Sequence, residues 1–503
     1  MADQFFHGAR VLDNPNGAPP ISTVNASVFG LLCTGPDSEP ATTATLNLGS
    51  VAANNALTFT AVNPGANGNK IAIAYYNPAA ASQALSVTVS GMTVIVNLAT
   101  DPTKAVTSTA ALVMAAITAL PAAAALITVT ATGASTGAGV VASMPWQYLS
   151  GGIDEAFPLN TPVAVMGDRV LAARMGTTGT GPAALADIFA QAGAVVVVVR
   201  VGADDLGVTT LEDMIGTVDE DGNYTGAQAF LAAESMIGLR PMILIAPGWT
   251  SQVQFLAEFL PVAQRLRAHI IAEGPDTTDA DAYAYTQNFG DRRIFLVDPG
   301  VKTTDANGNT VIHGNSATVA GLIARIDATL GWHWSPSNQE IYAITGTTRP
   351  VDYTEADPNC RANILNSQNI ATIIRRDGFR LWGNRTLSAD PRWAFFCISR
   401  SDDIIALSIQ KTVNAWAVDR PITATFFSDV SDEIKAYLAG LQNQGIIAGG
   451  TAYPSPTLNS SGNIVLGKVY FGYDWSGSYP AEDIEIQDSI VQTYLTNLAQ
   501  TQN

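Results

Sequence analysis

Ile373-Ile374-Arg375-Arg376-Asp377-Gly378-Phe379-Arg380-Leu381-Trp382-Gly383-Asn384-Arg385-Thr386, followed by Asp390-Pro391-Arg392-Trp393-Ala394-Phe395-Phe396, carries more structural information than any other part of this chain. An apolar run, a turn at Asp377-Gly378 and a second apolar run predict a β-hairpin. Asp390-Pro391 then predicts a loop that closes before a third apolar strand. The arginines that lace this hairpin need partners, either within the molecule or in a neighbour.

The whole chain is larger than one hydrophobic core usually supports, since 503 residues predict two to four domains. A hydrophobic content of 47% excludes a disordered chain, and a charged content of only 14% leaves long neutral surfaces suited to packing against protein. A net charge of -18 opposes non-specific binding to nucleic acid or to an anionic membrane. The acid is uneven, however. From Arg361 to Arg420 there are eight Arg and one Lys against five Asp and no Glu, a local +4 that favours acidic protein partners, copies of the same chain included.

Three charged residues, Lys70, Asp101 and Lys104, are all that the sequence carries between Ala41 and Ser150. Alternating runs there, such as Leu57-Thr58-Phe59-Thr60-Ala61 and Thr93-Val94-Ile95-Val96-Asn97, read as strands of an inserted β-rich module, with one helix near Ala105 to Ala119. From Thr161 to about Tyr353, continuous apolar strands (Ala194 to Val201, Met242 to Ala246, His269 to Ala272, Arg293 to Val297) alternate with helices. That pattern predicts a largely parallel sheet covered on both faces. The helix after Trp249 is expected to open on a Ser251-x-x-Gln254 capping box and to kink at Pro261. Asp305 to Asn309 reads as a hairpin turn. Later, helices are expected from Asp402 to Val418 and Asp432 to Asn443, and strands over Gly467 to Asp474 and Ala481 to Val491. The fold class is therefore mixed α/β and α+β, in several domains.

A search for chemistry finds little. Gly176-Thr177-Thr178-Gly179-Thr180-Gly181-Pro182 lacks the Lys-Ser/Thr pair of a phosphate-binding loop and reads as structural. Asp276, Asp279 and Asp281 lack the spacing of an EF-hand and read as helix-capping residues. The histidines His7, His269, His313 and His333 are scattered, and Cys33, Cys360 and Cys397 form no C-x-x-C pair, so no metal site, disulfide framework, cofactor or catalytic set is expected. The start of the chain lacks the pattern of a signal peptide, and Ala110 to Ile127, broken by Pro121, reads as a helix and strand instead of a membrane span.

The arginine-laced hairpin resembles the signature of contractile phage tail sheath proteins, a family related to R-type pyocin sheaths. Further stretches resemble that family in the same order: Phe6-His7-Gly8-Ala9-Arg10-Val11, Leu244-Ile245-Ala246-Pro247-Gly248-Trp249, Asn288-Phe289-Gly290-Asp291-Arg292-Arg293 and Trp334-Ser335-Pro336-Ser337-Asn338-Gln339-Glu340-Ile341. The resemblance implies a non-enzymatic subunit of stacked six-fold rings around a tail tube, which contracts to drive the tube through a host envelope. It implies tube, baseplate and tail terminator proteins as partners, a place in the virion tail, and assembly in the host bacterial cytoplasm, without direct nucleic-acid contact or membrane insertion. The corresponding layout is an N-terminal arm at 1–22, a central α/β domain at 23–37 and 156–355, an inserted surface domain at 38–155, a tube-facing domain at 356–480 and a C-terminal arm at 481–503.

In that layout Phe6, His7, Arg10, Val11, Ile484, Ile486 and Ile490 are the expected inter-subunit arm residues. Arg375, Arg380, Trp382, Asn384, Arg385 and Trp393 are expected in the core or interface of the C-terminal domain, and Lys411, Glu433 and Lys435 at the tube. Two other readings stand beside it: an α/β enzyme with an accessory β domain, and a surface coat or adhesion protein built around the Thr/Ala-rich insert.

Overall fold

The computed structural model describes residues 19–203, 207–305 and 307–492. The chain forms two compact units, one of Met1–Gly30, Ala186–Val196 and Leu239–Asn503, the other of Leu31–Leu185 and Val197–Gly238. The division falls inside the strands Val28–Thr34 and Val195–Val201 and the helix Thr180–Gln191.

In the first unit the strands Ile243–Ile245, His269–Glu273, Ile294–Val297 and Ile370–Arg375 lie side by side and run parallel. Leu244 stands opposite Ile270, Ile271 opposite Phe295, and Val297 opposite Ala371. Every residue of the first three strands is buried, which explains their apolar runs, broken only by His269 and Glu273 at the two ends of the second. Helices Val253–Leu266 and Ser316–Thr329 pack on the His269–Glu273 strand. The first of these buries Phe255, Leu256, Phe259, Val262, Ala263 and Leu266, the stripe that a 3.6-residue repeat produces. This helix runs on through Pro261. Its N-cap is Gln252, with no side-chain cap bond, so the expected Ser251 capping box does not form: Ser251 lies one residue too early.

Beyond Ile370–Arg375 the sheet turns antiparallel. Phe379–Trp382 pairs with it as a hairpin, Ile373 opposite Leu381, and Glu340–Ile341 adds outside. The turn residues Asp377 and Gly378 have φ of 49° and 105°, the left-handed region in which Asp is tolerated and Gly costs little. The expected hairpin turn at Asp305 also forms, between Val301–Thr304 and Thr310–His313.

The third strand expected after Asp390-Pro391 is absent. Asp390 instead accepts from the Arg392 N–H and opens a 3₁₀ turn over Pro391–Trp393, and Phe396 begins a helix that runs to Trp416. The helix is buried nearly all round from Phe396 to Ile409, so its sequence has no amphipathic period to reveal it. It starts earlier than the expected Asp402. The next helix likewise spans Ala424–Asn443 and not only Asp432 to Asn443. Its Phe426, Val430, Ile434, Leu438 and Leu441 form a cluster with Ile405, Ile409, Ile447 and Ala452. A two-stranded antiparallel sheet of Ile447–Pro454 and Phe471–Gly477 completes this region.

The second unit contains the insert. One sheet orders Thr45–Leu48, Leu57–Ala61 and Ile127–Ala131, and a second orders Ser86–Ser90, Thr93–Asn97, Ala72–Tyr76 and Met144–Tyr148. The helix Ala110–Ala119 is capped by Thr109 and begins later than the expected Ala105. Phe59, Ile73, Val94, Val96, Val113, Ile117 and Leu149 share one core. Among the described residues no helix is long and apolar enough to cross a membrane.

Candidate inter-subunit interface

The hairpin borders a groove of about 1570 Å³, lined among others by Asn338, Tyr353, Arg376, Trp382, Arg385 and Tyr479. Its arginines are tied inside the chain. Arg376 donates to Asn338 Oδ1 at 2.9 Å and lies 5.6 Å from the Trp382 ring and 5.9 Å from Tyr353. Arg380 donates from Nε to the Arg376 carbonyl at 3.0 Å and from Nη1 to the Asn338 carbonyl at 2.9 Å. Arg375, at the exposed end of its strand, lies 5.7 Å from the Phe379 ring. Buried Asn384 donates to Cys397 Sγ at 3.3 Å, and Arg292 stacks 4.1 Å from the ring of Trp393. Several arginines between Arg361 and Arg420 thus have partners within the chain, Arg361 in Asp279, Arg392 in Asp390 and Arg400 in Asp327.

Arg385 holds the chain's C-terminal segment. Its Nε donates to both carboxylate oxygens of Glu482, at 2.9 and 3.1 Å, and Nη2 to Oε2 at 2.5 Å. Nearby, Tyr479 meets Phe395 ring to ring at 6.3 Å and the Ser478 hydroxyl donates to the Gly445 carbonyl at 2.9 Å. The strand expected over Ala481 to Val491 does not form: these residues have no regular secondary structure in the single chain. Ile484, Ile486 and Ile490 are 71%, 85% and 97% exposed. A strand needs a partner edge, and here none is supplied to this segment. Phe6, His7, Arg10 and Val11 lie outside the described residues.

Of the three expected tube-contacting residues, Lys411 and Lys435 are exposed and Glu433 is partly buried; Lys435 pairs with Asp432 at 3.0 Å. A buried ionic layer that the sequence reading missed joins the central sheet to the Phe396–Trp416 helix. Arg293 clamps Asp403 from both guanidinium nitrogens, at 2.7 and 3.0 Å, and Arg292 reaches Asp402 at 2.9 Å. Burial pushes the Asp403 carboxyl up while these arginines pull it back. The Arg292-Arg293 and Asp402-Asp403 doublets were the available signal, but their pairing spans 110 residues of sequence.

The glycine-rich loop before the Thr180–Gln191 helix is filled by the protein itself. Asp37 accepts the Thr177 and Thr178 N–H groups at 2.8 and 3.0 Å and both hydroxyls at 2.8 and 2.6 Å. These bonds, that from the Thr178 hydroxyl first, hold its carboxyl well below the usual range. Of the three aspartates expected to cap, Asp281 bonds the Thr278 N-cap hydroxyl at 2.8 Å, whereas Asp279 pairs with Arg349 and Arg361 and Asp276 accepts from Thr348. The cysteines are buried and free, and burial raises the Cys33 thiol to about 12 and the Cys397 thiol to about 11. Among the described residues no cluster of three or more His, Cys, Asp or Glu is placed to hold a metal.

Residues 222–387 match the model of the phage tail sheath protein central domain, and residues 388–487 that of the phage tail sheath C-terminal domain. A putative prophage major tail sheath protein of Pseudomonas aeruginosa (strain UCBPP-PA14) is 41% identical over 340 residues, 67% of this chain and 88% of that protein. The tail sheath protein of Escherichia phage P2 is 37% identical over 358 residues, 69% of this chain and 90% of its own. Among solved structures, the sheath complex of an extracellular contractile injection system in its contracted state shares the fold. It has a TM-score of 0.52 at 16% identity and covers 67% of this chain and 89% of that one. With the groove and its arginine hairpin falling inside the two matched domains, the chain belongs to the phage tail sheath family: it is a structural sheath subunit and not an enzyme.

Proposed function

We propose that the two terminal segments of this sheath subunit complete β-sheets of neighbouring copies and so link the subunits into stacked six-fold rings around the tail tube. The observation that carries this reading is the C-terminal segment, anchored by Arg385–Glu482 and then continuing with Ile484, Ile486 and Ile490 exposed and unpaired. Alternating isoleucines without a partner strand fit an edge supplied by another molecule, such as the two-stranded sheet Ile447–Pro454/Phe471–Gly477. Each bridging hydrogen bond contributes about 0.5–1.5 kcal/mol net, so a few per arm keep subunits tethered while rigid bodies rotate. Contraction then draws on a difference in inter-subunit contacts, small per subunit and summed over many copies.

The remaining assignments follow the same reading. Phe6, His7, Arg10 and Val11 belong to the N-terminal arm, and Lys411, Glu433 and Lys435 face the tube protein. Baseplate and terminator proteins bound the sheath at its ends, in a virion tail assembled in the host cytoplasm. Deleting Met1–Ile21, or truncating after Ser478, is expected to give folded protein that forms no long tubes by electron microscopy. Normal tubes from either variant overturn the arm assignment.

A further inference from the structure

The insert carries an exposed sheet face whose composition differs from the rest of the molecule. In the four-stranded sheet, the inner face packs Val87, Val89, Val94, Val96, Ile73 and Tyr75 into the insert core. The outer face is set by alternation. Ala72 stands opposite Tyr148 and Thr93, Ala74 opposite Ile95, Tyr76 opposite Asn97, and Ser86, Thr88 and Ser90 continue these rows on the far strand. On the Met144–Tyr148 strand the register shifts between Ile73 and Tyr75. Met144 and Leu149 therefore reach the core, and Trp146 and Tyr148 turn outward. Tyr76, Trp146 and Tyr148 are 57%, 46% and 62% exposed.

This face thus holds three exposed aromatic rings on one side, Ala72, Ala74 and partly buried Ile95 between, and the hydroxyls and amide of Ser86, Thr88, Ser90, Thr93 and Asn97 on the other. The charged residues Lys70, Asp101 and Lys104 all lie outside these four strands. Three exposed rings gathered on one uncharged face form a patch suited to covering by an occupant.

Charge selects among occupants. Nucleic acid and anionic lipid need cations, which the face lacks on a chain of net charge -18. A second copy adding a strand at the Met144–Tyr148 edge meets Pro145 and the irregular register, both features that block edge pairing. A face-to-face dimer needs an exposed apolar centre, and here Ala72 and Ala74 are only 2% and 7% exposed, Ile95 is partly buried, and Ser and Thr border them, so the centre offers little apolar area to cover. A neutral polysaccharide matches instead. The C–H face of a pyranose stacks on an aromatic ring, while its hydroxyls exchange hydrogen bonds with Ser, Thr and Asn, and Trp and Tyr present this area with few rotatable bonds.

We propose that the outer face of the four-stranded sheet, through Trp146, Tyr148 and Tyr76, binds neutral polysaccharide. This site goes beyond the sheath role and is independent of the arm assignment. The test uses the full chain in biolayer interferometry over immobilised dextran, mannan, galactan and β-1,4-glucan, with heparin as a polyanion control. At least one neutral polymer is expected to bind, with affinity unchanged between 50 and 500 mM salt on the order expected for an uncharged contact. Trp146→Ala/Tyr148→Ala is expected to lose at least about tenfold in affinity, the 1.4 kcal/mol step of a lost ring contact, and Trp146→Phe to retain binding. Circular dichroism melting of each variant separates loss of the site from loss of the fold. Binding to none of the four neutral polymers, binding undiminished in a folded double variant, binding to heparin alone, or a drop in the oligomer mass of the double variant by light scattering would each overturn the proposal.

Discussion

Arg400 and Asp327 form a buried ion pair between two helices, Nη1 donating to Oδ1 at 2.7 Å and Nη2 to Oδ2, with side-chain exposures of 2% and 5%. The same guanidinium donates to the Ala26 carbonyl at 2.9 Å, and the Ser27 hydroxyl donates to Asp327. Two helices and the segment that follows the N-terminal arm thus meet at one charge pair. Desolvating both ions offsets most of their attraction, so the pair fixes geometry more than it adds stability.

Removing one partner leaves the other buried and unmatched. Arg400→Met is expected to destabilise the chain by about 3–5 kcal/mol, measured by urea denaturation of unassembled protein. Arg400→Met with Asp327→Leu is expected to recover most of that loss. Recovery of none of it would place the energy in the Ala26 and Ser27 bonds instead.

A second prediction opposes helix propensity to packing. Gly321 lies inside the Ser316–Thr329 helix, where alanine alone gains about 1 kcal/mol. A Cβ there meets the Ile188 carbonyl oxygen at 2.5 Å and its Cα at 2.9 Å, backbone atoms that cannot swing aside. Overpacking costs about 1–3 kcal/mol, so Gly321→Ala is expected to lower the melting temperature by several degrees. A rise in melting temperature would mean that the helices separate without penalty.

Residues whose burial shows as pattern were legible in the sequence. Ile294–Val297 is apolar throughout because both faces of its strand are covered, and Asp305 to Asn309 announces its turn chemically. The insert strands read correctly because one face is buried and the other is not. Phe396 read as strand because a helix buried nearly all round loses its period. Arg293–Asp403 and Arg400–Asp327 were hidden for a different reason: pairing across 110 and 73 residues is set by topology, which no local spacing encodes. Ala481 to Val491 kept its alternating isoleucines but has no strand, since a strand is a property of two segments.

His269 makes the chain acid-sensitive. It is fully buried, its Nε2 meets Ser399 Oγ at 2.9 Å, and burial first, then Arg293, Arg292 and Arg400, hold its pKa well below 6.5. The unfolded chain takes up a proton near pH 6.5 while the folded chain does not, so this stability is present above pH 6.5 and lost as pH falls below it. The slope is at most about 1.4 kcal/mol per pH unit. Asp403 and Glu273, raised by burial, titrate in the opposite sense, so the comparison is between wild type and His269→Gln over pH 7 to 5. The variant is expected to lose less stability across that range; equal slopes would show that His269 is protonated in the fold.

Arg385–Glu482 separates stability from assembly. Both side chains are 40% exposed, and exposed pairs contribute about 0–1 kcal/mol, so Arg385→Ala is expected to leave the melting temperature within a degree or two of wild type. The same pair anchors the C-terminal segment along the groove that Ile484 and Ile486 also line, and a strand offered to a neighbour from the wrong place loses its register. Arg385→Glu is therefore expected to abolish long tubes in electron micrographs while the protein stays folded, and Arg385→Glu with Glu482→Arg to restore them. Long tubes from the single charge reversal would show that the segment finds its partner edge without this anchor.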